Sequence, residues 1–247
     1  MASGQDKDST TSSHTSSYSE RERSIDSNES NKEFKANHID RTSPDIASRL
    51  IDRYCLYVTH VTREAELRES GGVLDVQGYI SMRRETGLMR CFFDLAEHCL
   101  GVNLPQEVHN DPVFVSGYEA AMDLINLSND LYSYDMEQAK GHSGANIVTV
   151  FMKTNKMDLQ TAVDFLGTYL EALIGQWATA RATLSSRSEQ RYRDSVSVLD
   201  ALGDWVRGNV IWCFETDRYF GINKDVIRKT LRVTLTTPFS NTINFVD

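Results

Sequence analysis

Several things are scarce in this chain, and each shortage removes a class of function. Lys and Arg number 26 against 35 Asp and Glu, a net charge of −9, which disfavours a nucleic-acid surface because phosphate neutralisation supplies most of that affinity. No apolar run approaches the ~20 residues that a membrane-spanning helix needs. The opening MASGQDKDST is too polar for a signal peptide, so a soluble, cytoplasmic protein is expected. Cys55, Cys91, Cys99 and Cys213 have no CxxC or zinc spacing, and are expected to be small core residues in a reducing compartment. The six histidines form no HExxH pair. Alternating strand patterns long enough to make a sheet are missing, as are internal repeats.

Residues 1–43 are rich in Ser, Thr, Asp, Glu, Lys and Asn and almost devoid of aliphatic side chains. Such a segment cannot bury enough apolar surface to offset chain entropy, so a disordered tail is expected there, and one folded domain over 44–247. From Pro44 onward helical periodicity takes over: Ile46, Leu50, Ile51, Tyr54, Val58 and Val61 recur at three- and four-residue steps, behind Ser43 as N-cap and ahead of Gly71 and Gly72. Further helices are predicted over 75–100 with an interruption near Thr86 and Gly87, over 112–140, 144–153, 158–185 and 189–217, then a turn at Gly221 and Asn223. With 40% hydrophobic residues there is material for one sizeable core, and the fold class is all-α.

The stretch NDLYSYDME, residues 129–137, carries the chemistry. Asn129, Ser133 and Glu137 stand at four-residue steps, and each step drifts only about 40° around a helix, so three oxygen donors share one face. Glu137 is long and leans toward the helix N-terminus, which brings it back to Ser133. Hard oxygens in this arrangement suit one Mg²⁺, whose other positions take water or phosphate oxygens. Polar residues at this spacing are also what the wet side of an amphipathic helix shows. Tyr118, Met122 and Ile125 on the same side favour an inward face.

Basic and aromatic residues can complete such a site. Arg83 and Arg84 precede the helix interruption, where a guanidinium and free backbone groups can meet an oxyanion together. Lys140 follows Glu137 by three residues, either aimed at an anion or simply favoured by the helix dipole. Arg218 and Tyr219 pair a phosphate fork with a hydroxyl donor. Trp212, six residues before Arg218, suits either a core or a cavity wall.

In combination these residues resemble class I terpene cyclases, and most of all the fungal sesquiterpene synthases. The family's (N/D)DxxSxxxE metal motif is met by Asn129, Asp130, Ser133 and Glu137, with Lys140 at the usual basic position. Its diphosphate-sensing arginine is matched by Arg83, 46 residues upstream, better than by Arg84, since Thr86 and Gly87 then fall on the linker and effector positions. The late arginine-tyrosine pair falls on Arg218 and Tyr219, and Trp212 on a commonly aromatic cavity position. The resemblance implies the isoprenoid-synthase helical bundle, three Mg²⁺ ions, and ionisation of an isoprenyl diphosphate, farnesyl diphosphate first, followed by carbocation cyclisation and release of diphosphate. The carbonyl of Gly87 would assist ionisation.

The family's second, aspartate-rich motif has no counterpart here: Asp6, Asp8, Asp26 and Asp40 lie in no apolar helical stripe. The resemblance therefore implies an N-terminally truncated domain, lacking on the order of a third of the usual bundle. Exposed apolar helix faces, homo-oligomerisation and little or no cyclase activity would follow. The alternative is a catalytically dead helical remnant that binds diphosphate or a protein partner.

Overall fold

The computed structural model describes residues 41–140 and 144–236, together with the backbone of 242–244. The tail expected over 1–43 lies almost wholly outside these described residues. The chain divides into two compact units, Met1–Ala47 and Ser48–Asp247. In the first unit, Ser43 Oγ accepts from the Ile46 backbone N–H at 3.3 Å. Together with Pro44 at the first helical position this starts α1, Pro44–Glu69.

Local chemistry sets most of the boundaries that follow. Gly71, at φ 67°, closes α1. Asp75 caps α2, Val76–Thr86, by accepting from Gly78 N at 2.7 Å. After a break at Gly87 and Leu88 comes α3, Met89–Cys99, and then the single turn α4, Gln106–His109. Asp111 caps α5, Pro112–Ala139, with proline at its first position. Asn146 caps α6, Ile147–Thr154, and Asp158 caps α7, Leu159–Ser185. Helix α8 spans Gln190–Glu215 and stops because extended Thr216 caps the next turn, α9, Asp217–Phe220. A 3₁₀ turn at Gly221–Asn223 leads to α10, Lys224–Thr230. The protein is all-α in class, as expected, with one short addition: Arg232–Thr234 (β1) pairs antiparallel with Thr242–Asn244 (β2). Strands of three residues are too short to show an alternating pattern.

Helix α5 is the centre of the second unit. Every residue from Ala120 to Ser128 is buried, as expected of a helix walled in on all sides. One end packs into a cluster with Phe93, Phe114, Leu184 and Leu199, the other into a cluster with Tyr79, Phe151, Leu166 and Phe220. At Gly117 a Cβ would lie 2.9 Å from the Ala180 Cβ and 3.1 Å from Leu199, so glycine permits the close approach of α5 to α7 and α8. Helix α1 meets α3 through charge: Arg49 Nη2 bonds Glu97 at 2.8 Å and Arg53 Nη1 bonds Asp94 at 2.5 Å. Cys91 and Cys213 are buried as expected, whereas Cys55 and Cys99 are exposed. That corrects the reading of all four as core residues: Cys55 falls on the outer face of α1 and Cys99 at the last turn of α3.

The cap of α5 offers a direct stability test. Burial raises the Asp111 carboxyl, but hydrogen bonds from Arg187 and from the Val113 backbone N–H outweigh it and hold the group below its ordinary value. A depressed carboxyl stabilises the fold above its unfolded pKa, and that contribution disappears as pH falls through the folded value. Asp111→Ala is expected to lower unfolding free energy by ~1 kcal/mol at neutral pH. In thermal melts across pH, the gap to wild type should close below about pH 4.

Candidate active site

The break between α2 and α3 is the local feature from which the site is built. Gly87 still has helical dihedrals (φ −77°) and donates its N–H to Arg83 O, whereas Leu88 turns left-handed at φ 59°. A left-handed bulky residue costs ~1–2 kcal/mol, so the surroundings must impose it. Asn126, buried on α5, packs against this break from the side. Its Nδ2 donates to Arg83 O at 3.3 Å, and its Oδ1 lies 2.2 Å from where a Cβ on residue 87 would be. A Cβ at 87 would force the Asn126 side chain to shift. The Thr86 hydroxyl at the same break is buried with no hydrogen-bond partner.

The two neighbouring arginines separate cleanly. Arg84 forms a two-pronged pair with Asp123 (2.8 and 2.6 Å) and reaches Glu119 at 2.7 Å, which fastens α2 to α5. Arg83 turns instead to the 129–137 stretch. Its Nε donates to Asp130 Oδ1 at 2.9 Å and its Nη2 to Asn129 Oδ1 at 3.1 Å. Burial lowers the Arg83 pKa, but the Asp130 carboxylate more than compensates, so the guanidinium is held above its ordinary value and stays charged.

Asn129, Ser133 and Glu137 lie on one face of α5. Ser133 Oγ is 2.8 Å from Glu137 Oε1, so the glutamate does reach back one turn. Burial pushes the Glu137 carboxyl above the ordinary carboxylate range, opposed by hydrogen bonds from Asn146 and Ser133. A cation would relieve that desolvation. One carboxylate oxygen, one hydroxyl and one amide oxygen form a donor set that fits a single hard divalent ion. No group of three or more His, Cys, Asp and Glu side chains gathers for a metal among the described residues.

The late pair joins this face through tyrosine. Tyr219 OH accepts from Asn129 Nδ2 at 2.8 Å, so the Asn129 amide bridges Arg83 on α2 and Tyr219 on α9. Arg218 is exposed, with its guanidinium 5.4 Å from the Tyr219 ring centroid. Trp212 is 47% exposed and packs edge-on against the same ring at 5.7 Å. It therefore stands at the surface beside Tyr219 rather than deep in the core. Lys140 is the exposed C-cap of α5, and no hydrogen bond or ion pair of its side chain is found among the described residues.

The family model for terpene synthase family 2, C-terminal metal binding, matches residues 13–176. The chain belongs to the class I terpene synthases. Sesquiterpene synthase Agr5 of Cyclocybe aegerita is 58% identical over 209 residues, covering 84% of this chain and 49% of its own length. A sesquiterpene synthase of Piloderma croceum is 52% identical, covering 86% of this chain and 62% of its own length. The chain thus spans about half to three fifths of the curated relatives it matches. Among solved structures, linalool/nerolidol synthase from Streptomyces clavuligerus with 2-fluorogeranyl diphosphate superposes with a TM-score of 0.63 at 21% identity, over 69% of this chain and 60% of that one. A cucumene synthase variant gives 0.62 at 24%, over 72% and 59%. At such identities the likeness establishes the isoprenoid-synthase fold.

Three functional neighbours escaped the sequence reading: Asn126 behind the helix break, Tyr79 on Asp130, and Asn146 on Glu137. Asn146 carried a local signal, since Asn before an apolar run marks an N-cap, but nothing in the sequence ties it to Glu137. Two substitutions test the framework. Asp130→Ala strands a mostly buried guanidinium and is expected to cost about 3 kcal/mol in urea denaturation. Gly87→Ala should cost about 1–3 kcal/mol by overpacking, and Asn126→Ala in the same chain should recover part of that loss, giving a non-additive cycle.

Proposed function

We propose that this chain supplies the diphosphate-gripping part of a cytoplasmic class I terpene cyclase, which ionises an allylic isoprenyl diphosphate and cyclises the cation to a sesquiterpene with release of diphosphate. Farnesyl diphosphate is the expected substrate. The names of the similar sesquiterpene synthases support it, and one geometric observation carries the reading. The Asn129 amide links Arg83 to Tyr219 while Ser133 and Glu137 close up beside it, so the candidate metal ligands and the candidate diphosphate contacts from three helices converge on one face.

Each residue has a definable task. Asn129, Ser133 and Glu137 would hold Mg²⁺, which when bound draws negative charge onto the leaving diphosphate. Arg83 is kept charged and aimed by Asp130, so its position is set before substrate arrives, and such preorganised charge lowers a barrier without reorganisation. Arg218 makes no ion pair among the described residues, which leaves its fork free for phosphate oxygens. The Gly87 turn, fixed by Asn126 and left-handed Leu88, presents backbone at the end of α2 where the reacting carbon would sit. Trp212 and Tyr219 offer aromatic faces that stabilise a carbocation.

A second reading is favoured by a specific observation. Glu137 is the single carboxylate among the three candidate metal ligands, and no group of three or more His, Cys, Asp and Glu side chains gathers for a metal among the described residues. Trp205, Ile211 and Trp212 on α8 and Ile51, Tyr54, Val58 and Val61 on α1 are exposed, surfaces that suit a further helical partner or a second copy. In this reading the chain binds diphosphate without turning substrate over.

Incubation with geranyl, farnesyl and geranylgeranyl diphosphates and Mg²⁺, followed by hydrocarbon analysis, tests turnover by this chain, and binding of inorganic diphosphate tests the site. The chain alone is expected to bind inorganic diphosphate in a Mg²⁺-dependent way and to give little or no hydrocarbon. Arg83→Ala should weaken that binding about tenfold or more, the loss of a charge-assisted contact. Robust turnover would overturn the second reading, and Mg²⁺-independent binding would overturn the metal assignment.

A further inference from the structure

We propose that Asn146 sets the metal preference of the Asn129, Ser133 and Glu137 motif by holding one oxygen of Glu137 away from the cation. The inference rests on the reading of those three residues as metal ligands. Asn146 lies outside the motif, nine residues beyond Glu137 at the start of α6, and is fully buried. Its side chain has two N–H donors and one carbonyl. Nδ2 donates to the Asp130 backbone oxygen at 2.7 Å and to Glu137 Oε2 at 2.9 Å, while Oδ1 accepts from the Val148 backbone N–H at 3.0 Å. With both ends of the amide engaged, a flip would break all three bonds, so the amide is fixed.

Glu137 is thereby given a direction. Oε2 accepts from Asn146, whose amide is fixed, whereas Oε1 accepts from the hydroxyl of Ser133 at 2.8 Å, itself one of the three proposed ligands, so Oε1 is the oxygen on the side of the cation. A carboxylate that offers one oxygen suits Mg²⁺, which takes six ligands in a strict octahedron and retains several waters. It suits Ca²⁺ less, because six to eight oxygens and bidentate carboxylates are typical of that ion. Asn146 is on this account a positioning residue, acting on the cation through Glu137 alone. A pure helix cap would behave differently: Ser or Thr can replace Asn at a cap, yet neither can reach Glu137 with an amide.

The test compares the full chain with Asn146→Ser, Asn146→Thr and Glu137→Gln. Bound Mn²⁺ is followed by electron paramagnetic resonance in the presence of inorganic diphosphate and displaced by Mg²⁺ or Ca²⁺, with thermal melts to confirm folding. Wild type should be displaced more readily by Mg²⁺. In Asn146→Ser and Asn146→Thr the ratio of competition constants should move toward Ca²⁺ about tenfold, or about 1.4 kcal/mol, and agreement between the two guards against one of them failing to fold. An unchanged ratio in a folded variant that still holds Mn²⁺ would reduce Asn146 to a helix cap and overturn the inference. If Glu137→Gln holds Mn²⁺ as tightly as wild type, the metal reading itself falls and takes the inference with it.

Discussion

The buried carboxylate of Asp130 is the constraint to which the rest of the site is tied. Its oxygens accept from Arg83 Nε at 2.9 Å, Tyr79 OH at 2.5 Å and the Ile147 backbone N–H at 3.2 Å. Those donors come from α2 and from the start of α6, so one side chain of α5 sets the placement of two other helices. A buried charge is costly unless its lone pairs are satisfied, and a buried ion pair contributes more to geometry than to net stability. Here the geometry is what matters. Asn129 and Asp130 are adjacent, and adjacent helical residues point about 100° apart. The inward residue anchors Arg83, and the neighbouring residue shares the same guanidinium on the motif face. The position of the arginine and that of the metal motif are therefore one problem with one solution.

The helix break extends the same logic to the backbone. Thr, Gly and Leu do not forbid a helix in the way proline does, although glycine disfavours one by about 1 kcal/mol, so the break at Leu88 is not dictated by these residues alone. The interruption lies where α2 packs against the most buried stretch of α5. Strain at Leu88 and the unpartnered Thr86 hydroxyl sit at this point, and local costs of this kind persist where surrounding structure over-determines them.

Much of this was legible in the sequence where the controlling chemistry is local. Ser43, Asp75, Asp111 and Asp158 cap helices within three residues of themselves, and the long periodic helices appear within a few residues of their expected ends. The one-turn helices Gln106–His109 and Asp217–Phe220 and the three-residue strands carry too few residues for a period to register. The same limit applies to side-chain roles. The family resemblance was enough to prefer Arg83 to Arg84, but the partners that separate them, Asp130 and Asn129 against Asp123 and Glu119, are 35 to 47 residues away. Trp212 illustrates the opposite failure, since helical periodicity cannot say whether an aromatic side chain is covered or stands half-exposed beside its neighbour Tyr219.

The motif contains two acids, yet they are not equivalent, and charge balance explains why. Asp130 faces a guanidinium that is itself held strongly charged, so its negative charge is matched within the protein. Glu137 makes no ion pair among the described residues and is bonded by the neutral groups of Ser133 and Asn146. Neutral donors soften desolvation without cancelling charge, which is why burial still raises the carboxyl of Glu137. The field at this face is therefore negative at Glu137, with the positive charge of Arg83 alongside. In the proposed role a divalent cation would be attracted to the first and a diphosphate to both the cation and the arginine, so the two ligands would reinforce one another. Exchanging the roles of the two acids would place the guanidinium where the cation belongs and leave an uncompensated charge inside the bundle. Order along the helix, aspartate inward beside Asn129 and glutamate two turns on, would keep the two proposed functions apart.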